Sequence, residues 1–113
     1  MAAYKRYCKT LTLRNDRELI RQYKEVHQKV WPEILQGMRE VGILDMEIWL
    51  YGNRLFMIMD TVPDFDHDRA MADLADKPRQ KEWEAYVAKF QNTSPDATAD
   101  EKWQMMERVF KMH

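Results

Sequence analysis

One cysteine, three glycines and four prolines leave this chain short of the parts that build several familiar kinds of site. Cys8 alone excludes an internal disulfide and any metal centre made of several cysteines, and within a strand-like segment a lone thiol reads as a small buried hydrophobe. Gly37, Gly42 and Gly52 are isolated from one another, so no glycine-rich phosphate loop exists, and there is no nucleophile elbow or paired zinc-binding histidines. Charge of one sign is lacking too. A net charge of −1, from 18 basic and 19 acidic side chains, gives no broad basic face for a phosphate backbone, so nucleic acid is not an expected partner. The longest apolar run, Leu55 to Met59, falls far short of the roughly 20 residues that span a bilayer. Charges in the opening MAAYKRYCK stand where a signal peptide has its hydrophobic region. The expectation is a cytoplasmic protein without membrane contact, and cofactor-dependent chemistry is not expected.

What the chain does have is an apolar fraction of 45% within 113 residues, enough for one compact domain over residues 1–113. A small sheet protein with four tryptophans and nine methionines gains buried area by pairing, so a homodimer is expected.

Residues 4–13 are rich in aromatic and β-branched types, with Tyr7, Leu11 and Leu13 on one face, and predict a first strand. Asn15 and Glu18 have the spacing of a helix capping box. Leu19, Ile20, Tyr23, Val26, His27 and Val30 follow at helical spacing, and Ile34, Leu35, Met38 and Val41 continue the stripe to Gly42. This predicts one long helix bent at Trp31 and Pro32. From Ile43 the period changes to two. Leu44, Met46, Ile48 and Leu50 oppose Asp45, Glu47, Trp49 and Tyr51, and Gly52-Asn53 turns the chain into RLFMIMDTV, a hairpin over residues 43–62. A short helix carrying Ala70, Met71 and Leu74 follows. Pro78 opens another with Trp83, Tyr86, Val87 and Phe90, NTSPDATADE reads as a loop, and Trp103 to Met112 alternates as a last strand. Strand, helix, hairpin, helices, strand is the order of a ferredoxin-like α+β sandwich with helices on one sheet face. Two such sheets facing each other would make a dimeric α+β barrel.

Among three histidines, only His27 lies in a strongly amphipathic helix beside aromatic neighbours, where a near-neutral imidazole can carry protons; the plain alternative is a histidine bonded at the core edge. His67 sits among Asp64, Asp66 and Asp68, where a solvated loop explains the pattern better than a metal site, because nothing fixes ligand geometry. Tyr23, Trp31, Trp83 and Tyr86 offer flat rings with polar tips, which suit a sugar as well as they suit a core. Without cofactor motifs, the residues leave proton transfer by side chains or passive ligand binding.

YKEVHQKVWPEI (Tyr23 to Ile34), REVGILDMEIWLYGNRLFMIM, KEWEAYVAKFQ and EKWQMMERVF together resemble the L-rhamnose mutarotases, cofactor-free enzymes that interconvert the α and β anomers of 6-deoxy-L-hexoses. The resemblance covers essentially the whole chain. It implies a dimeric ferredoxin-like fold, a monosaccharide substrate, His27 as catalytic proton donor, and Tyr23 and Trp83 as sugar contacts, with no metal. Two positions depart from the family's pattern: Glu84 stands where a second tryptophan is found, and Met46 replaces a substrate-contacting tyrosine. The WEAY and EKWQMMERVF segments look like a subgroup associated with L-fucose. The chemistry that this implies needs His27 at the ring oxygen and a second group at the anomeric hydroxyl, for which Tyr23, an acidic strand residue or water are candidates. The alternatives are a non-catalytic small-ligand-binding dimer of the same fold and a cofactor-free oxygenase.

Overall fold

Residues 3–113 are described by a computed structural model. The chain runs β1 (Lys5–Thr12), α1 (Arg17–Val26), α2 (Pro32–Glu40), β2 (Ile43–Tyr51), β3 (Arg54–Thr61), α3 (His67–Ala75), α4 (Gln80–Ala88), α5 (Ala99–Lys102) and β4 (Gln104–Met105). The four strands lie in the order β2-β3-β1-β4, each antiparallel to its neighbour. That order, with a helical crossover between β1 and β2 and another between β3 and β4, is the ferredoxin-like α+β sandwich expected from the element order. None of the described helices is long and apolar enough to cross a membrane.

Alternation in β3 divides the two faces of the sheet. Leu55, Met57, Met59 and Thr61 are buried against the helices, whereas Phe56, Ile58 and Asp60 are only half-buried on the opposite side. Leu11 and Leu13 from the β1 segment, Ile34 from α2, Leu74 from α3 and Val87 from α4 complete the core between sheet and helices. On the other face Trp49 opposes Phe56 across the β2–β3 ladder and stays 60% exposed.

Five local expectations need correction. The α1 cap falls on Asp16 rather than Asn15: its carboxylate accepts from the backbone N–H of Glu18 at 2.9 Å and Leu19 at 3.0 Å. The single bent helix is two helices, separated over residues 27–31. Pro32 disfavours helical geometry in the residue before it, and Trp31 is extended at φ −58°, ψ 136°. In β2 a bulge between Ile43 and Asp45 turns Leu44 outward, while Met46, Ile48 and Leu50 keep the inward phase opposite Met59, Met57 and Leu55, Leu50 remaining exposed near the hairpin end. The terminal strand is much shorter than Trp103–Met112. Only Gln104 and Met105 pair with β1, after which the Met106 N–H reaches the Cys8 carbonyl at 2.8 Å. Val109, Phe110 and Met112 stay exposed, because none of the described residues covers them. The polar stretch before β4 also ends in structure, since Thr98 and Glu101 form a reciprocal capping box that starts α5.

Candidate active site

Tyr23 lies one turn before His27, the residue that caps the C-terminal end of α1. The two rings face each other at 4.1 Å between centroids with an interplanar angle of 32°. His27 Nδ1 is 2.9 Å from the Tyr23 carbonyl oxygen, which can only accept, so Nδ1 carries the hydrogen and Nε2 is left with its lone pair. Trp83 of α4 meets His27 edge-on at 5.5 Å. Behind it, Trp31 packs edge-on against Trp83 at 5.1 Å and stacks on Tyr86 at 5.7 Å, while the Arg79 guanidinium lies 4.1 Å above the Trp31 ring. Trp31 and Tyr86 therefore brace the aromatic wall from outside.

The wall encloses a cavity of about 310 Å³ between helices and sheet, at the small end of the range that suits small-molecule ligands. Tyr23, His27 and Trp83 all line it, so the fold collects the three residues expected at the site. Met46 and Glu84, the two departures from the family pattern, line it as well. A neighbouring cavity of about 200 Å³ beyond Gln80 and Glu84 has no histidine and no aromatic ring in its lining.

Sequence reasoning singled out Glu84 but missed the polar network around it. Lys102, whose side chain is wholly buried, donates to Glu84 Oε1 at 2.7 Å, to Gln91 Oε1 at 2.8 Å and to the Glu84 carbonyl at 3.4 Å. Gln80 Nε2 donates to the other Glu84 oxygen at 2.5 Å. A buried ion pair of this kind persists only when its remaining hydrogen-bonding capacity is filled, as it is here. Lys9 joins the lining from β1, and its ammonium is buried without a partner among the described residues. The available signal was its position: Lys9 interrupts the inward phase set by Tyr7, Leu11 and Leu13. No comparable pattern marked Lys102, which comes from a distant short helix.

Burial lowers the His27 imidazole below its ordinary range, with the Tyr23 carbonyl pulling weakly the other way. At neutral pH the ring is therefore neutral. Burial raises the Tyr23 phenol strongly, against a hydrogen bond with Gln91, so it stays protonated. Burial also lowers the Lys9 ammonium, opposed by the more distant Asp100 and Asp68. His67 lies elsewhere: it opens α3, packs 5.2 Å from the Tyr7 ring and contacts Asp68 through Nδ1 at 2.9 Å. Among the described residues no group of three or more His, Cys, Asp or Glu could hold a metal ion. Asp60 is taken up outside the cavity by a two-pronged pairing with Arg6 at 2.8 and 3.0 Å. The cavity thus offers a neutral imidazole, a protonated phenol, an indole face and several fixed charges, a set suited to proton transfer on a small polyol.

A family model for L-rhamnose mutarotase matches residues 6–112. A protein named L-fucose mutarotase from Xanthomonas campestris pv. campestris is 37% identical over 109 residues, covering 95% of this chain and 87% of that protein. One named L-rhamnose mutarotase from Rhizobium leguminosarum bv. trifolii is 35% identical over 77 residues, covering 66% and 69%. The crystal structure of an L-rhamnose mutarotase from Formosa agariphila superposes with a TM-score of 0.74 at 24% identity, covering 96% of this chain and 99% of that one, which supports the fold. With nearly its whole length matched by the family model and a cavity that gathers Tyr23, His27 and Trp83, the chain belongs to the L-rhamnose mutarotase family.

Proposed function

We propose that this protein interconverts the α and β anomers of a 6-deoxy-L-hexose, L-rhamnose or L-fucose, with His27 as the proton-transferring residue and Tyr23 and Trp83 as sugar contacts. The observation that carries the reading is the His27 imidazole, held through Nδ1 by the Tyr23 carbonyl at 2.9 Å on the wall of a monosaccharide-sized cavity.

The resting neutral imidazole begins as a base and becomes the donor within one turnover. Nε2 takes the proton from the anomeric hydroxyl as the bond between C1 and the ring oxygen breaks, and the imidazolium gives that proton to the ring oxygen, leaving the open-chain aldehyde. Rotation about C1–C2 presents the other carbonyl face. Closure runs the transfers in reverse, so that no net proton, electron or bond is lost. Both oxygens are attached to C1, which is why one ring nitrogen can serve them in turn. Proton transfer by a positioned group contributes about 10²–10⁴-fold. The protonated Tyr23 phenol orients a hydroxyl rather than acting as base, and Trp83 offers an apolar face to the sugar's C–H groups.

A cytoplasmic homodimer completes the proposal. Support for pairing comes from the outer sheet face, where Phe56 and Ile58 are half-buried and Trp49 exposed, and from the apolar tail after β4. The test is anomer exchange followed by saturation-transfer NMR across L-rhamnose, L-fucose and their epimers. Exchange in the parent protein that is lost in a folded His27→Ala variant is the expected result. Exchange that persists in the variant would remove His27 from the mechanism, and no exchange by the parent protein would favour a ligand-binding module.

A further inference from the structure

Two buried polar atoms of opposite sense lie unpartnered on residues that line the same cavity. Among the described residues Lys9 Nζ has no acceptor although the residue is only 1% exposed, and Gln80 Oε1 has no donor although Gln80 is 2% exposed. The orientation of the Gln80 amide is fixed by chemistry: the Glu84 carboxylate only accepts, so the amide nitrogen must face it and the oxygen is left over. A sugar hydroxyl both donates and accepts, and so can satisfy either atom.

We propose that Lys9 is a substrate-binding residue whose ammonium donates to a hydroxyl oxygen of the bound monosaccharide, with Gln80 Oε1 accepting from a hydroxyl of the same ligand. This rests on the reading of the cavity as a sugar site. Lys102 supplies the contrast, because this second buried lysine has all three of its protons placed on Glu84 and Gln91. Lys102 is structural, whereas the Lys9 ammonium satisfies no group among the described residues. It occupies an inward position of β1 opposite Met57 on one side and Met105 on the other, where an apolar side chain would pack without desolvating a charge. Lys9 also borders an outer recess that holds Asp68 and Asp100, yet neither carboxylate is within hydrogen-bond distance of Nζ. A charged donor kept at a cost to the folded state and left open for a ligand is the pattern of a site that trades stability for function.

The experiment compares the parent protein with Lys9→Met, which keeps an unbranched side chain one heavy atom shorter and removes the charge. Thermal melts without sugar and calorimetric titrations with L-fucose and L-rhamnose are the two readouts. The expected result is a variant that melts at or above the parent temperature and binds sugar roughly 10- to 100-fold more weakly, the range of a hydrogen bond to a charged group. A variant that melts clearly lower, or fails to fold, would show a structural lysine and overturn the proposal. Unchanged affinity at an unchanged or higher melting temperature would overturn it as well. Calorimetry separates this inference from the reaction: a parent protein that binds sugar without exchanging anomers refutes the mutarotase and leaves Lys9 to be judged by affinity. One that binds neither sugar refutes both.

Discussion

His27 Nδ1 donates across 2.9 Å to the carbonyl oxygen of Tyr23, the residue one helical turn before it. That bond selects one tautomer and leaves Nε2 as the reactive nitrogen, while burial holds the imidazole below its usual pKa near 6.5. Because the neutral form starts the cycle, the exchange rate should fall toward acid with a midpoint below 6.5, and stay level through neutrality. Stability should follow the same sign. As pH drops below 6.5 the unfolded chain takes up a proton at His27 that the folded chain resists, so folding weakens until the folded group also titrates. Saturation-transfer rates and thermal melts between pH 5 and 8 check both; an acid-side increase in rate would contradict the assignment.

Tyr23→Phe removes only the hydroxyl. A phenol whose pKa burial has raised cannot serve as a base at neutral pH, so kcat should change by less than about tenfold while KM rises. Folding stability should change by no more than about 1–2 kcal/mol, the range for one buried polar group. Steady-state exchange measurements and urea titration separate the two effects.

Glu84→Leu leaves Lys102 buried with two weaker acceptors in place of a carboxylate, and should cost about 3–5 kcal/mol of stability. The double variant Glu84→Leu, Lys102→Met should recover most of that loss. A denaturant-unfolding cycle over the four proteins gives the coupling directly, and simple additivity of the two single changes would show that the pair is not coupled.

Trp49→Glu places a charge on the outer sheet face at a site 60% exposed in the single chain. Within one protomer the cost should lie within about 0.5 kcal/mol. If that face joins two copies, the variant should move from dimer to monomer in light scattering behind size exclusion, with the parent remaining dimeric at the same concentration.

The fold could be read wherever side-chain period and turn chemistry agreed. The hairpin at Gly52, with φ +61°, follows from the alternation around it, and Tyr23 and His27 share a wall because helical spacing put them on one face. Legibility ended where the outcome depended on partners distant in the chain. The Lys102–Glu84 pair joins residues 18 apart through tertiary packing; Glu84 stood out as a departure from the family pattern, but nothing local marked Lys102 as its partner. Lys9 was visible as an irregularity in the β1 alternation, yet its surroundings come from α4 and the cavity beyond. The end of the chain alternates like a strand over ten residues, but it pairs with β1 only at Lys9 and Thr10 and leaves the sheet once the Met106 N–H has reached the Cys8 carbonyl.

The Glu84–Lys102 clasp also constrains how relatives of this protein can diverge. A bulky neutral ring at position 84 would strand a cation in the wall, so drift toward the double-tryptophan form passes through a weakened intermediate unless position 102 changes in the same step. Sequences that carry an acid at the first position should therefore carry a base at the second, and the two should be inherited as a unit.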